Sequence, residues 1–327
     1  MLKTIIDFGI FEDFTSNQPK PVPIGTEEDI KTWNTFWEFL KSGSDVTITN
    51  YKNQENIFLN NLTTGRKGTK CKIEEKFNRP NKFIFPKNQD IKSVFLIDEP
   101  TGQGKISYRR KNGYVFGFKE DYTEVWKDLS LLEKPKILPV RKNAKIKLSS
   151  WNQLSDYILP FTDMIIVDNY MFDETVWDFN LLRIIEEFAK KTPVKFNLLL
   201  LSYFNENTLT KSYVSTLHKK IEAKLIEREI KCNLSIALAN YNIKEHDRGI
   251  FTNYLRVKSG DSFVYFDKNG KMITKGTEID FQPLVEVDKI NASDAALADI
   301  HKIIDKLNSP LLKEKRLAGD LKNRLIE

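Results

Sequence analysis

Between residues 163 and 241 the chain alternates two kinds of sequence, and that alternation leaves few folds open. Residues 163–168 (Asp163-Met164-Ile165-Ile166-Val167-Asp168) form a short apolar run with acidic ends, and 194–203 and 233–241 are two more apolar runs. A run without polar alternation suits a strand covered on both faces, as in the middle of a parallel sheet. Between these runs, 174–190 has helical apolar spacing, and 207–229 places Leu209, Tyr213, Leu217, Ile221 and Leu225 on one stripe. Strand, helix, strand, helix, strand predicts an α/β layer with parallel strands at its centre. Short strands are expected to follow, with Asp267-Lys268-Asn269-Gly270 as a turn. Asn291 is then the expected N-cap of a helix over 292–307 that stops before Pro310.

The N-terminal half is expected to be a second α/β lobe over residues 1–131. It reads as a helix over 27–41 with Trp33, Phe36, Trp37 and Leu40, strands over 45–50 and 91–98, and a hairpin over 105–118 turning at Asn112-Gly113. Residues 64–90 read as an irregular polar excursion. Residues 132–150, with Pro135, Pro139 and several Lys and Arg, read as a basic linker. A second lobe over 151–290 and a C-terminal helical segment over 291–327 complete the division. The Trp33-to-Tyr51 spacing echoes the Trp151-to-Tyr170 spacing to within one residue, which makes the first lobe a candidate diverged copy of the second. The five Trp mostly fall in apolar helical patterns and read as core.

At 327 residues the chain can bury a full core, as two lobes or one large α/β unit. Its two cysteines are too few for a disulfide framework or a zinc site, and a reducing cytoplasm is the expected setting. No apolar run reaches the length of a membrane span, so no membrane partner is expected, and the first residues lack the regions of a signal peptide. The formal charge of +6 leans mildly toward a polyanionic partner.

Chemistry is concentrated near the end of the alternating region. Histidine is scarce, occurring only as His218, His246 and His301. His246-Asp247-Arg248-Gly249-Ile250-Phe251-Thr252-Asn253 is followed by Ser259-Gly260-Asp261-Ser262-Phe263. Two positions apart on a strand, an imidazole and a guanidinium share one face. Such a pair suits a phosphate, since Arg forks onto its oxygens while His attacks or moves a proton.

The run His246-x-Arg248-x-x-x-x-Asn253, with Ser259-Gly260 beyond it, resembles the phospholipase D-type HKD signature. It is more similar to the degenerate HDR version found in adaptor-like domains and in bacterial proteins of defence or mobile-element type. The resemblance covers roughly residues 150–285. It implies an α/β fold with a phospholipase D-like C-terminal lobe, a mixed sheet flanked by helices, beside the N-terminal lobe. It also implies His246 as the phosphorus nucleophile and Arg248, standing where Lys is usual, as the phosphate clamp. Asn253, standing where Asp is usual, would orient the imidazole, and Ser259, Gly260 and Ser262 would close the phosphate loop. A phosphohistidine route needs a second imidazole to protonate the leaving oxygen. No second His-x-Lys or His-x-Arg exists. His218 reads as a solvated helix residue and His301 as the packing edge of the last helix. Turnover is therefore expected only in a homodimer, as a metal-independent phosphodiesterase or nuclease with no cofactor.

Other readings stand beside this one. The motif could be an exposed salt-bridged turn, or the groove of a non-catalytic module that binds a protein partner, such as another subunit of a defence complex. Asp7, Asp98, Glu99 and Asp168 fall at strand ends, where converging acids could hold Mg²⁺, although acids there more commonly cap helices. Gly102-Gln103-Gly104-Lys105 is too short for a nucleotide loop. Three basic groups point together toward nucleic acid: Arg66, Lys67, Lys70 and Lys72; Arg109, Arg110 and Lys111 between Tyr108 and Tyr114; and Arg141, Lys142, Lys145 and Lys147. The expected function is binding or cleavage of nucleic-acid phosphodiesters.

Overall fold

The computed structural model describes residues 1–52, 55–65, 70–74, 90–97, 112–140, 148–192, 194–204, 209–240, 248–273 and 278–327. It divides into two compact units, Met1–Lys134 with Pro283–Ile290, and Pro135–Gln282 with Asn291–Glu327.

The first unit runs β1 (Leu2–Asp7), α1 (Phe8–Ser16), α2 (Glu27–Glu38), β2 (Ser44–Thr49), α3 (Ile57–Thr64), β3 (Cys71–Glu74), β4 (Ser93–Leu96), β5 (Val115–Gly117) and α4 (Tyr122–Ser130). The described strands lie in the order β3-β2-β1-β4-β5, and every neighbouring pair is parallel. The Thr26 hydroxyl caps α2 by accepting from the Asp29 N–H at 3.1 Å, and Glu27, Glu28 and Asp29 complement the positive end of the helix. The expected helix stops short of Lys41, because its last turn widens into a π-helical turn over Phe39–Gly43. β3 falls inside the stretch read as irregular. β5 pairs in parallel with β4, and the first arm of the expected hairpin, 105–111, lies outside the described residues. Tyr114 is buried edge-on against Phe95, so it is core and not a stacking platform.

The second unit contains β6 (Ile137–Pro139), β7 (Asp163–Val167), α5 (Leu181–Ala189), β8 (Phe196–Tyr203), α6 (Lys211–Glu227), β9 (Cys232–Ala239), β10 (Gly249–Thr252), β11 (Leu255–Ser259), β12 (Glu278–Pro283) and β13 (Leu317–Ala318). The helix α7 (Val287–Leu307) belongs to it from Asn291 onward. The sheet order is β13-β9-β8-β7-β10-β11-β12-β6. β7, β8 and β9 are parallel, while β10 runs antiparallel to β7 and β11 antiparallel to β10. All five residues of β7 are buried, which is why its sequence shows no polar alternation.

Several expectations are corrected here. The helix expected over 174–190 is broken into a 3₁₀ turn at Trp177–Phe179 and α5 by Asn180, whose φ and ψ are −121° and −84°. The Asn180 carboxamide accepts from Tyr265 and Phe266 N–H at 2.9 and 3.0 Å and donates to the Phe266 carbonyl at 2.7 Å. A side chain that serves a distant loop in this way competes with its own helix. Asn291 lies inside a helix that starts at Val287 and does not cap it. The stretch read as a linker supplies β6, which pairs with β12. The segment read as a separate C-terminal helical piece adds β13 to the edge at β9. The Trp-to-Tyr echo does not extend to topology: β2 has parallel neighbours on both sides, whereas β7 has one parallel and one antiparallel. Among the described residues no helix is long and apolar enough to cross a membrane.

Candidate functional site

Three parallel strands bring their carboxyl ends to one edge, where polar groups in open α/β sheets collect. The antiparallel return strand extends that edge. β10 pairs Gly249 with Val167, so Arg248 and Asp168 fall side by side just beyond the ladder.

Asp168 is fully buried. Its carboxylate accepts from the Ser262 hydroxyl at 2.8 and 2.9 Å, from the Phe263 N–H, and from the Tyr170 N–H at 2.7 Å. Burial pushes this carboxyl above its ordinary range, against the downward pull of those hydrogen bonds and of the Arg248 charge. The loop 259–263 is therefore wrapped around a buried acid.

Arg248 is held from both sides. One Nη donates to Asp261 at 3.1 Å, and the guanidinium carbon lies 6.0 Å from the centroid of the Tyr170 ring. Asp261 is 63% exposed, so this ion pair is weak in water. The buried Nε has no partner, and among the described residues the remaining guanidinium N–H groups make no hydrogen bond. Tyr170 is 60% exposed, which is unusual for a ring beside a buried acid. Sequence reasoning missed it. The available signal was an aromatic residue two places after a strand-end carboxylate.

The other residues singled out from the motif are placed differently. Asn253 is buried at the far end of β10, five residues from Arg248 and therefore roughly 17 Å away along an extended strand. Its carboxamide accepts from Thr162 and Asp163 N–H at 3.1 and 3.3 Å and donates to the Thr162 hydroxyl at 3.0 Å, fastening the start of β7. The Ser259 hydroxyl bonds the Tyr265 hydroxyl at 2.5 Å and accepts from the Asp261 N–H at 3.2 Å. The Gly260 N–H goes to the Glu278 carbonyl at 3.2 Å. Ser259, Gly260 and Ser262 thus fasten the loop to Tyr265, Glu278 and Asp168.

His246 and Asp247 lie outside the described residues, as do Arg109, Arg110, Lys111, Arg141 and Lys142, and also Asp98, Glu99 and residues 102–105. Asp7 is buried at the end of β1, where it accepts from Thr49 and Asn50 at 2.6 Å each and ties β1 to β2. His218 is not solvated: its Nε2 lies 3.0 Å from the Leu234 carbonyl, packing α6 onto β9. His301 is half-exposed beside Asp305 at 3.2 Å. Among the described residues no group of three or more His, Cys, Asp or Glu is placed to hold a metal ion.

No protein-family model matches this chain, and no curated protein matches it.

Proposed function

We propose that the second unit binds single-stranded nucleic acid at the carboxyl edge of β7, with Arg248 taking a phosphate and Tyr170 stacking a base. The observation that carries this reading is an exposed aromatic ring 6.0 Å from a guanidinium with only one hydrogen-bonded donor. One nucleotide offers a π-face to the first and a pair of anionic oxygens to the second. Asp261 is exposed and holds Arg248 through a single bond, so a bidentate phosphate competes well for the same donors. Asp168 supports the site from beneath by fixing the Tyr170 backbone and the 259–263 loop. The likeness of His246-x-Arg248-x-x-x-x-Asn253 to the phospholipase D-type motif supports a phosphodiester ligand, and the bacterial defence or mobile-element setting comes from that likeness alone. Asn253 is committed to Thr162 and Asp163, which favours binding over cleavage.

The test is fluorescence anisotropy of the full chain with a labelled 12-nucleotide oligo-dT. Tyr170→Ala is expected to weaken binding about tenfold, and Tyr170→Phe to leave it within about twofold, because stacking needs the ring and not the hydroxyl. Equal affinities for wild type and Tyr170→Ala, or no binding at all, overturn the proposal. Cleavage of the oligonucleotide that disappears in His246→Ala replaces the binding reading with a catalytic one.

A further inference from the structure

The carboxyl edge of β7 already carries an anion at Arg248. Among the described residues Asp261 is the only one that hydrogen-bonds the guanidinium, through Oδ1 at 3.1 Å. That oxygen is positioned before any ligand arrives. It also accepts from the Ser262 N–H at 2.8 Å, while the Asp261 N–H donates to the Ser259 hydroxyl at 3.2 Å. Ser259 is bonded in turn to the Tyr265 hydroxyl, and Ser262 to the buried Asp168. The carboxylate therefore stands on a loop fastened on both sides, although its own side chain is 63% exposed.

An acid paired with a cation that takes a phosphate lowers the affinity for that phosphate. It occupies a donor, and its charge repels the incoming oxygens. The tether makes this competition unequal between ligands. A carboxylate from a partner protein offers Arg248 only what Asp261 supplies at high effective concentration, so the exchange gains nothing. A phosphate offers more, because two of its oxygens span both Nη groups where Asp261 uses one. The exchange needs only the exposed side chain to turn outward. The bonds from Ser259 to Tyr265 and from Ser262 to Asp168 do not pass through it. Resting on the nucleic-acid reading of this site, we infer that Asp261 is a built-in competitor for Arg248. It admits the phosphates of a nucleic-acid strand and turns away carboxylate-rich protein partners.

The experiment measures binding of a labelled 12-nucleotide oligo-dT by the full chain as wild type, Asp261→Asn, Arg248→Ala and the double variant. Soluble polyglutamate is the competitor. Asparagine keeps an acceptor for the Ser262 N–H, so the loop retains its shape. Asp261→Asn is expected to bind oligo-dT about fivefold tighter, the upper range for releasing one exposed ion pair. In the Arg248→Ala background the same substitution is expected to change affinity by less than about twofold. Polyglutamate is expected to displace the oligonucleotide from Asp261→Asn with an inhibition constant about fivefold lower than from wild type. Three results overturn the inference. They are Asp261→Asn binding no tighter than wild type, an equal gain with and without Arg248, or polyglutamate competing equally well against both proteins. Each of these leaves nucleic-acid binding itself standing as long as Arg248→Ala weakens it. Absence of oligo-dT binding in all four proteins removes the nucleic-acid reading, and Asp261's role with it.

Discussion

Asp168→Ala is expected to cost the second unit about 3–5 kcal/mol in urea denaturation, the range for removing one partner from a buried charged network. The loss has a specific origin. The Ser262 hydroxyl and the N–H groups of Phe263 and Tyr170 all donate to this carboxylate, and the first two become buried donors without an acceptor. Arg248 also loses a neighbouring anion. Asp168→Asn keeps the shape and one acceptor oxygen, so its loss is expected to be about half as large. pH separates the two variants from wild type. Burial raises the Asp168 pKa, so the folded chain holds that proton more tightly than the unfolded chain does. This contribution is complete below the ordinary value of 3.8 and fades as pH rises through the folded value. Wild type is therefore expected to gain less stability between acid and neutral pH than Asp168→Asn. A loss below about 1 kcal/mol for Asp168→Ala contradicts the wrapped-loop account.

Arg324→Ala is expected to cost about 3 kcal/mol, near the lower end of that range. Asp163 is fully buried at the start of β7, and Arg324 meets it with Nε at 3.2 Å, Nη2 at 3.0 Å and its backbone N–H at 3.0 Å. The same Nη2 donates to the Thr162 hydroxyl at 2.7 Å. After truncation the carboxylate keeps donors from Asn197, Thr162 and the backbone, which limits the damage. Arg324→Lys is expected to recover only part, because an ammonium cannot reproduce the planar fork. Stability within about 0.5 kcal/mol of wild type would mean that the last residues are not part of the second unit's core.

The centre of the second unit was readable in the sequence because its strands are unbroken apolar runs and α6 has a clean apolar stripe, both local signals. Its periphery was not. β13 has two residues and exists because Ile236 and Ala237 of β9 offer an open edge, while Arg324 and Asn323 anchor beyond it at Asp163 and Met164. The break at Asn180 depends on backbone groups more than eighty residues away. β3 and β5 are four and three residues long, shorter than any pattern that periodicity can detect. At the site, Arg248 stood out because Arg in a motif is chemically conspicuous, and Asp168 because it ends a strand. The motif pattern implied that Asn253 works beside Arg248, but a four-residue strand separates them. Tyr170 acquires meaning only from its exposure and its distance to Arg248, neither of which a sequence carries.

The central claim is that Arg248 contacts phosphate, and the salt dependence of oligonucleotide binding tests it most directly. Affinity of the full chain for oligo-dT is measured across a sodium chloride series for wild type and for Arg248→Ala. Loss of one phosphate contact is predicted to lower the log–log slope by about 0.7 and to weaken binding most at low salt. Parallel lines of equal slope for the two proteins would contradict the account.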